Sequence, residues 1–266
     1  MTALLAAIAA GLVAILATLA VERMGGLLGG VFASIPTTIV PAAIGFYFAK
    51  DGFTPALLAV PYGMLVNALF LYMWRILPPR ISISNFGLRL TVMIVLSLSV
   101  WALFAFGSIF FQRIYSSLWL STLVICVQLG LGYWACIHNP PAPKGNKRVG
   151  WGTLAMRGVL AGCAIGASIL LSSFGALAGI ASVFPAIFLT TMVSIWISQG
   201  EAVQGGAVGP MMLGSSSVSV FALLAILIFP IMGPFVGSFI GWFLAVLCTS
   251  VPSAIWLNRA SLNSNR

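Results

Sequence analysis

Hydrophobic positions in this sequence run in long blocks, and charges or turn-forming clusters mark where one block stops and the next begins. A helix needs about 20 apolar residues to cross roughly 30 Å of hydrocarbon. Nine blocks meet that length, at about 2–21, 25–49, 53–74, 88–109, 114–137, 152–173, 175–198, 205–229 and 233–257. The pattern predicts an all-α polytopic integral membrane protein with about nine transmembrane helices. Nothing basic precedes the first block and no clear small-residue cleavage site follows it, so it reads as a permanent helix rather than a signal peptide.

Charge placement bears on the count independently of hydropathy. With nine spans, one side of the membrane receives Arg23, Arg75, Arg80, Arg89, Lys144, Lys147, Arg148, Arg157, Arg259 and Arg266, while the other receives only Lys50 and Arg113. Ten against two is a strong bias, and the basic side is expected to be cytoplasmic. The amino terminus is then outside and the carboxyl terminus inside, in a plasma (inner) membrane. Of the 266 residues, 61% are hydrophobic and 6% charged, with mean hydropathy +1.14, where a soluble domain carries about 25% charged residues. The net charge of +9 therefore belongs to membrane edges, and the bilayer rather than nucleic acid is the expected partner.

The chain also matches itself. Residues 2–11 align with 153–162, and after a two-residue slip GGLLGGVFASIP (25–36) falls on FGALAGIASVFP (174–185). Pro36 meets Pro185, and at the same offset Pro61 meets Pro210. The copies start at spans 1 and 6, so five crossings separate them and the second copy enters upside down. The chain divides into a five-span unit (1–137), a basic cytoplasmic linker (138–150) and a four-span unit (151–266). Inverted-topology repeats recur in secondary transporters, where two similar units can exchange inward-open and outward-open roles.

Candidate chemistry gathers at the two prolines, each near the centre of its block. A mid-helix proline removes a backbone hydrogen bond and clashes with the preceding turn, so both helices are expected to break there, with polar groups satisfying the freed backbone. Ser34, Thr37 and Thr38 surround Pro36; Ser182, Thr190 and Thr191 flank Pro185. A serine two residues before a proline, as Ser34 stands before Pro36, resembles a helix N-cap, and two half-helix N-termini facing one cavity favour an anion. Asn67, and Ser215, Ser216 and Ser217 around its repeat counterpart, add polar atoms. No ionisable side chain is expected at the midplane. The alternative for each hydroxyl is a bond to its own backbone or a contact between helices. Glu201 reads either as a gate or coupling carboxylate or as a loop carboxylate paired with a cytoplasmic arginine.

Other residues read as structural. Arg157, one turn into span 6, is expected to snorkel to the headgroups. Glu22 beside Arg23 and Asp51 beside Lys50 are interfacial pairs. Cys126, Cys136, Cys163 and Cys248 are expected as core thiols, and with His138 the only histidine and three acids in the chain, no metal centre or other cofactor is anticipated. Trp74, Trp151 and Trp256 fall at span ends, as an aromatic belt does. Glycines recur every four residues at 26/30, 158/162/166, 175/179 and 233/237/241, a spacing that lets helices approach closely; a homodimer face is the other use of such a stripe, with Gly233 to Gly241 the first candidate. The pattern as a whole points to a non-enzymatic carrier for a small solute. A passive channel of the same symmetry, or a non-catalytic subunit of a membrane complex, are the rival readings; an intramembrane enzyme lacks its nucleophile, base or metal set. On this topology a Lys144→Cys protein reacts with an impermeant thiol reagent only from the cytoplasmic side, and labelling from outside would reverse the assigned orientation.

Overall fold

In hydrocarbon only a helix or a closed barrel satisfies its own backbone, and this chain takes the first solution. The computed structural model describes residues 3–24, 35–49, 52–138 and 150–264, with side chains for 3–16, 35–49, 52–138 and 150–259. Ser34, the Glu22/Arg23 and Lys50/Asp51 pairs, Gly26 and Gly30, and most of the basic linker lie outside the described side chains. Twelve α-helices are described: α1 Ala3–Met24, α2 Ile39–Ala49, α3 Phe53–Ile76, α4 Phe86–Ile114, α5 Leu118–Ile137, α6 Trp151–Leu170, α7 Ala176–Ser182, α8 Ala186–Gln199, α9 Glu201–Gly214, α10 Ser216–Met232, α11 Pro234–Ala245 and α12 Val251–Ser264. There is no strand among the described residues. Counting α7 with α8, α9 with α10 and α11 with α12 as continuous segments, seven are long and apolar enough to cross a membrane; α2 and residues 3–16 of α1 form shorter apolar helices.

Local chemistry sets the boundaries. The side chains of Asn85 and Ser117 accept hydrogen bonds from the Leu88 and Leu120 amides and so cap α4 and α5. Gly200 (φ 90°) and Gly233 (φ 75°) each form a one-residue turn between successive helices, a backbone conformation that a side chain disfavours. The apolar α4 presents Leu103, Phe106 and Phe110 outward, and α11 presents Phe235 and Phe239. Such a surface suits a lipid solvent. At the centre stands α3, packed against α2, α4, α5, α7, α8, α9 and α10, its own Leu57, Phe70, Leu71 and Trp74 fully buried.

Close seams fix how neighbours run. A methyl on Gly11 would stand 2.8 Å from the Gly158 carbonyl oxygen, and one on Gly162 would stand 2.8 Å from that of Ala7. As numbers fall along α1 they rise along α6, so the two are antiparallel. Gly132 against Leu213, and Gly209 against Ala135 and Cys136, make α5 and α9 antiparallel too. By contrast α3 and α7 run parallel: Gly175 abuts Pro55, Gly179 abuts Ala56 and Gly63 abuts Ile180 and Val183.

Several expectations change at this level. Cys126, Cys163 and Cys248 are exposed on the outer surface and Cys136 is half-buried, because a thiol faces lipid at no greater cost than core. Trp74 is fully buried among Phe70 and Trp196 rather than in an interfacial belt. Gly237 and Gly241 face Phe229 and Phe221 of α10, so these two glycines serve close packing within the chain, while Gly233 has nothing within 4 Å.

Gly162→Val forces backbone apart at the α1/α6 seam, and overpacking of this kind costs about 1–3 kcal/mol. Thermal unfolding in detergent should show a clear fall in Tm, whereas Gly107→Ala, with nothing within 4 Å, should leave it close to wild type.

Candidate functional site

The second of the two expected breaks is described in full. After α7 the Val183 and Phe184 amides reach back three residues, to the Ile180 and Ala181 carbonyls (3.2 and 3.1 Å), Pro185 has no amide to offer, and α8 begins with Leu189 N–H donating to the Pro185 carbonyl at 2.7 Å. The Asn67 amide of α3 donates to the Val183 carbonyl at 2.7 Å. Its own carbonyl accepts the Trp101 indole N–H of α4 at 2.8 Å, and the Trp101 ring stands edge-on to Phe184, centroids 5.2 Å apart. Asn67 thus acts as a stitch across three helices at the break. A neutral amide suits this task, since it has a donor for the freed carbonyl and an acceptor for a neighbour.

One turn past Pro185, Thr190 and Thr191 donate to carbonyls of their own helix: Thr190 to Ala186 (2.8 Å), Thr191 to Ile187 (2.7 Å). Their oxygens in turn accept from Arg157 of α6, Nε to Thr190 at 3.1 Å and an Nη to Thr191 at 2.8 Å. Arg157 is 4% exposed. It therefore does not snorkel. Six residues into α6, at 1.5 Å per residue, its Cα lies about 9 Å inside the helix end, and the side chain is turned toward α8. A charged group in this setting, rather than a purely neutral hydroxyl cluster, is the main departure from the sequence reading. A guanidinium is a donor group that suits an anion rather than a metal ion.

The remaining predicted residues sort as follows. Pro36 is buried in the bend 35–38 that precedes α2, with Thr37 and Thr38 half-buried beside it; the Thr37 amide donates to the Ile35 carbonyl at 2.7 Å. Ser34 lies outside the described residues. Between the half-helices α2 and α8 stands α6, packed on both. Ser182 is not an N-cap: its hydroxyl donates back to Gly179 at 2.6 Å, because the chain makes two further tight turns before α8 starts. Ser215, Ser216 and Ser217 are fully buried and donate to the carbonyls of Met212, Leu213 and Gly214. Ser215 also accepts from Gln128 of α5 at 3.1 Å, and Ser219 donates to the same Gln128 at 3.0 Å. These hydroxyls splice α9 to α10 and bind α5. Glu201 meets Arg89 at 2.8 Å, the pairing expected of a loop carboxylate, and Arg89 also lies over the Trp196 ring, 5.4 Å from its centroid.

Sequence reading passed over Trp101, Gln128 and Gln204. Each carried a signal: an indole in mid-block rather than at a span end, and amides inside otherwise apolar helices, where an unpaired polar group is costly. No family model, curated protein or solved structure matches this chain.

Asn67→Leu orphans the Val183 carbonyl and the Trp101 N–H, each at a cost of about 1–3 kcal/mol. Thermal unfolding should show Trp101→Phe as the milder change, and the double variant as less destabilised than the sum of the two single ones; strict additivity would separate the two contacts.

Proposed function

We propose that this chain is a secondary carrier that moves a small anionic solute by alternating access, with the broken segment 183–191 and its counterpart around Pro36 forming the two halves of the site. The observation that carries the reading is the buried Arg157 guanidinium seated on Thr190 and Thr191, one turn beyond a helix break in an apolar bundle. Ionisable groups at such depth are costly and concentrate on substrate or ion paths. Guanidinium donors beside the start of a half-helix favour negative charge. The solute would displace the threonine oxygens from Arg157, because a charged acceptor bonds a guanidinium more strongly than a neutral hydroxyl does.

The nine-span, inverted-repeat architecture is part of the proposal, and helix directions support it. If the crossings alternate, spans of unlike parity run antiparallel and those of like parity run parallel. The pairs α1/α6 and α5/α9 (spans 1 and 6, 5 and 8) are antiparallel, while α3/α7 (spans 3 and 7) are parallel, as the seams above require. Element bounds support the repeat: the offset of 149 that carries Pro36 onto Pro185 carries α2 to 188–198, α3 to 202–225 and α4 to 235–263, beside the observed Ala186–Gln199, Glu201–Met232 and Pro234–Ser264. The alignment of 2–11 with 153–162 exchanges the Gly11/Gly158 contact with the Gly162/Ala7 contact, both 2.8 Å. Such an exchange under antiparallel packing is what a twofold axis in the membrane plane would produce, and it supports the inverted arrangement. The α5 helix has no counterpart and returns the chain to the side from which the second unit starts. On the positive-inside rule Arg75, Arg80, Arg89 and the start of α6 face the cytoplasm.

Proteoliposomes test the proposal with a panel of labelled small carboxylates, phosphate and sulfate. Saturable uptake, accelerated by the same solute on the far side, is the expected result; linear conductance without counterflow would make the protein a channel. Arg157→Gln should weaken apparent affinity by about tenfold to a hundredfold, the worth of a charged hydrogen bond, and Thr191→Val less, with size-exclusion profiles unchanged. Transport unaffected by both would remove this cluster from the mechanism.

A further inference from the structure

The edge that Arg157 turns toward α8 is selective in shape as well as in charge. Its Nε–H and Nη2–H stand side by side on a planar group, and each donates to a separate oxygen: Nε to Thr190 at 3.1 Å and Nη2 to Thr191 at 2.8 Å. Two donors on one rigid fork match two oxygens of one acceptor, the bidentate pattern in which arginine holds a carboxylate. Hydroxyls from two consecutive residues therefore fill the places that the oxygens of a single anion would take.

The threonines can leave those places without stranding a proton. Thr190 donates to the Ala186 carbonyl at 2.8 Å and Thr191 to the Ile187 carbonyl at 2.7 Å, and both bonds lie within α8, so they persist when Arg157 is drawn away. Only hydroxyl lone pairs lose a partner. An ionised acceptor holds a guanidinium more strongly than a neutral one does, which drives the exchange. Thr190 is 2% exposed and Thr191 is half-buried, so the Thr191 end of the edge is the less covered one.

We propose, resting on the reading of Arg157 as the carrier's anion contact, that the solute is a small monocarboxylate seated with both oxygens on the Nε/Nη2 edge in place of Thr190 and Thr191. Chloride is one sphere, which two parallel N–H groups reach only off-axis, and hydrogen bonds weaken as they bend. Sulfate has paired oxygens but brings a second negative charge. The helices packed on α6 are α1, α2, α7 and α8, and none of their described side chains is charged. Among the described residues that second charge meets no counterpart in an apolar bundle, a costly arrangement. A carboxylate matches one guanidinium in charge and its edge in geometry.

Saturation transfer from the protein in lipid nanodiscs to the formate proton reads occupancy, with acetate, chloride and sulfate as competitors at matched ionic strength. Acetate should displace formate at similar concentration, while chloride and sulfate should need about tenfold to a hundredfold more, the worth of one charged hydrogen bond. Arg157→Lys keeps the charge and loses the planar edge, so formate should bind weaker by a similar factor and its advantage over chloride should vanish. Chloride competing as well as acetate in the wild type overturns the monocarboxylate assignment while leaving an anion site; binding of none of these anions removes the site and the carrier's contact with it. Selective formate binding without solute counterflow supports the site and removes the carrier. A preference unchanged in Arg157→Lys overturns the placement. Should Arg157→Lys fail to fold, dicarbonyl modification of Arg157 in the wild type, followed by peptide mass spectrometry, decides the matter: slowing by acetate but not by equimolar chloride supports the site, and equal rates reject it.

Discussion

A chain that interrupts a helix within hydrocarbon must find partners for the backbone groups it frees, and the architecture around residues 183–185 is organised by that demand. In hydrocarbon an unsatisfied carbonyl costs several kcal/mol. Part of the solution is local: the Val183 and Phe184 amides turn back onto the end of α7. The rest comes from Asn67, whose amide closes on the Val183 carbonyl while its own oxygen takes the Trp101 proton. The break is thus tied to α3 and α4. The parallel seam of Gly175, Gly179 and Gly63 brings α7 close enough to α3 for an asparagine to span the gap.

With the break held, α8 starts at a defined height and presents Thr190 and Thr191 to α6. The glycines of α6 face α1, where they permit backbone contact. Arg157 faces α8, where it finds two hydroxyl oxygens. One helix therefore carries two seams of different character, close-packed and apolar on one side and hydrogen-bonded on the other. In the proposed carrier this lets a rigid α1/α6 contact act as the axis while the polar seam exchanges its threonine oxygens for a solute. At the end of the bundle Arg89, Glu201, Trp196, Trp74 and Gln204 join α3, α4, α8 and α9 into one interlocked layer.

Seven of the helical blocks could be read from hydropathy to within about five residues: 53–74 became Phe53–Ile76, 114–137 became Leu118–Ile137 and 175–198 became Ala176–Gln199. The interruption at Pro185 was legible in part, because proline lacks the amide that a helix needs, yet Pro61, Pro210 and Pro230 lie inside continuous helices. Asn67 stood out as an amide in an apolar run.

Which way each side chain points was decided only by tertiary packing. Helices apolar all round carry no amphipathic stripe to mark an inner face, and lipid is as hydrophobic as a protein core, so composition does not separate them. Cys126 and Cys248 went outward and Trp74 inward for that reason, and Arg157, whose position near a span end matched a snorkelling residue, was turned to the threonines because α8 breaks beside it. The serines at 215–217 were legible as polar, yet whether their hydroxyls served a solute or a splice depended on Gln128 arriving from another helix. Sequence determined which stretches are helical; folding decided which prolines interrupt a helix and which polar atoms meet, since those meetings join residues up to 130 positions apart.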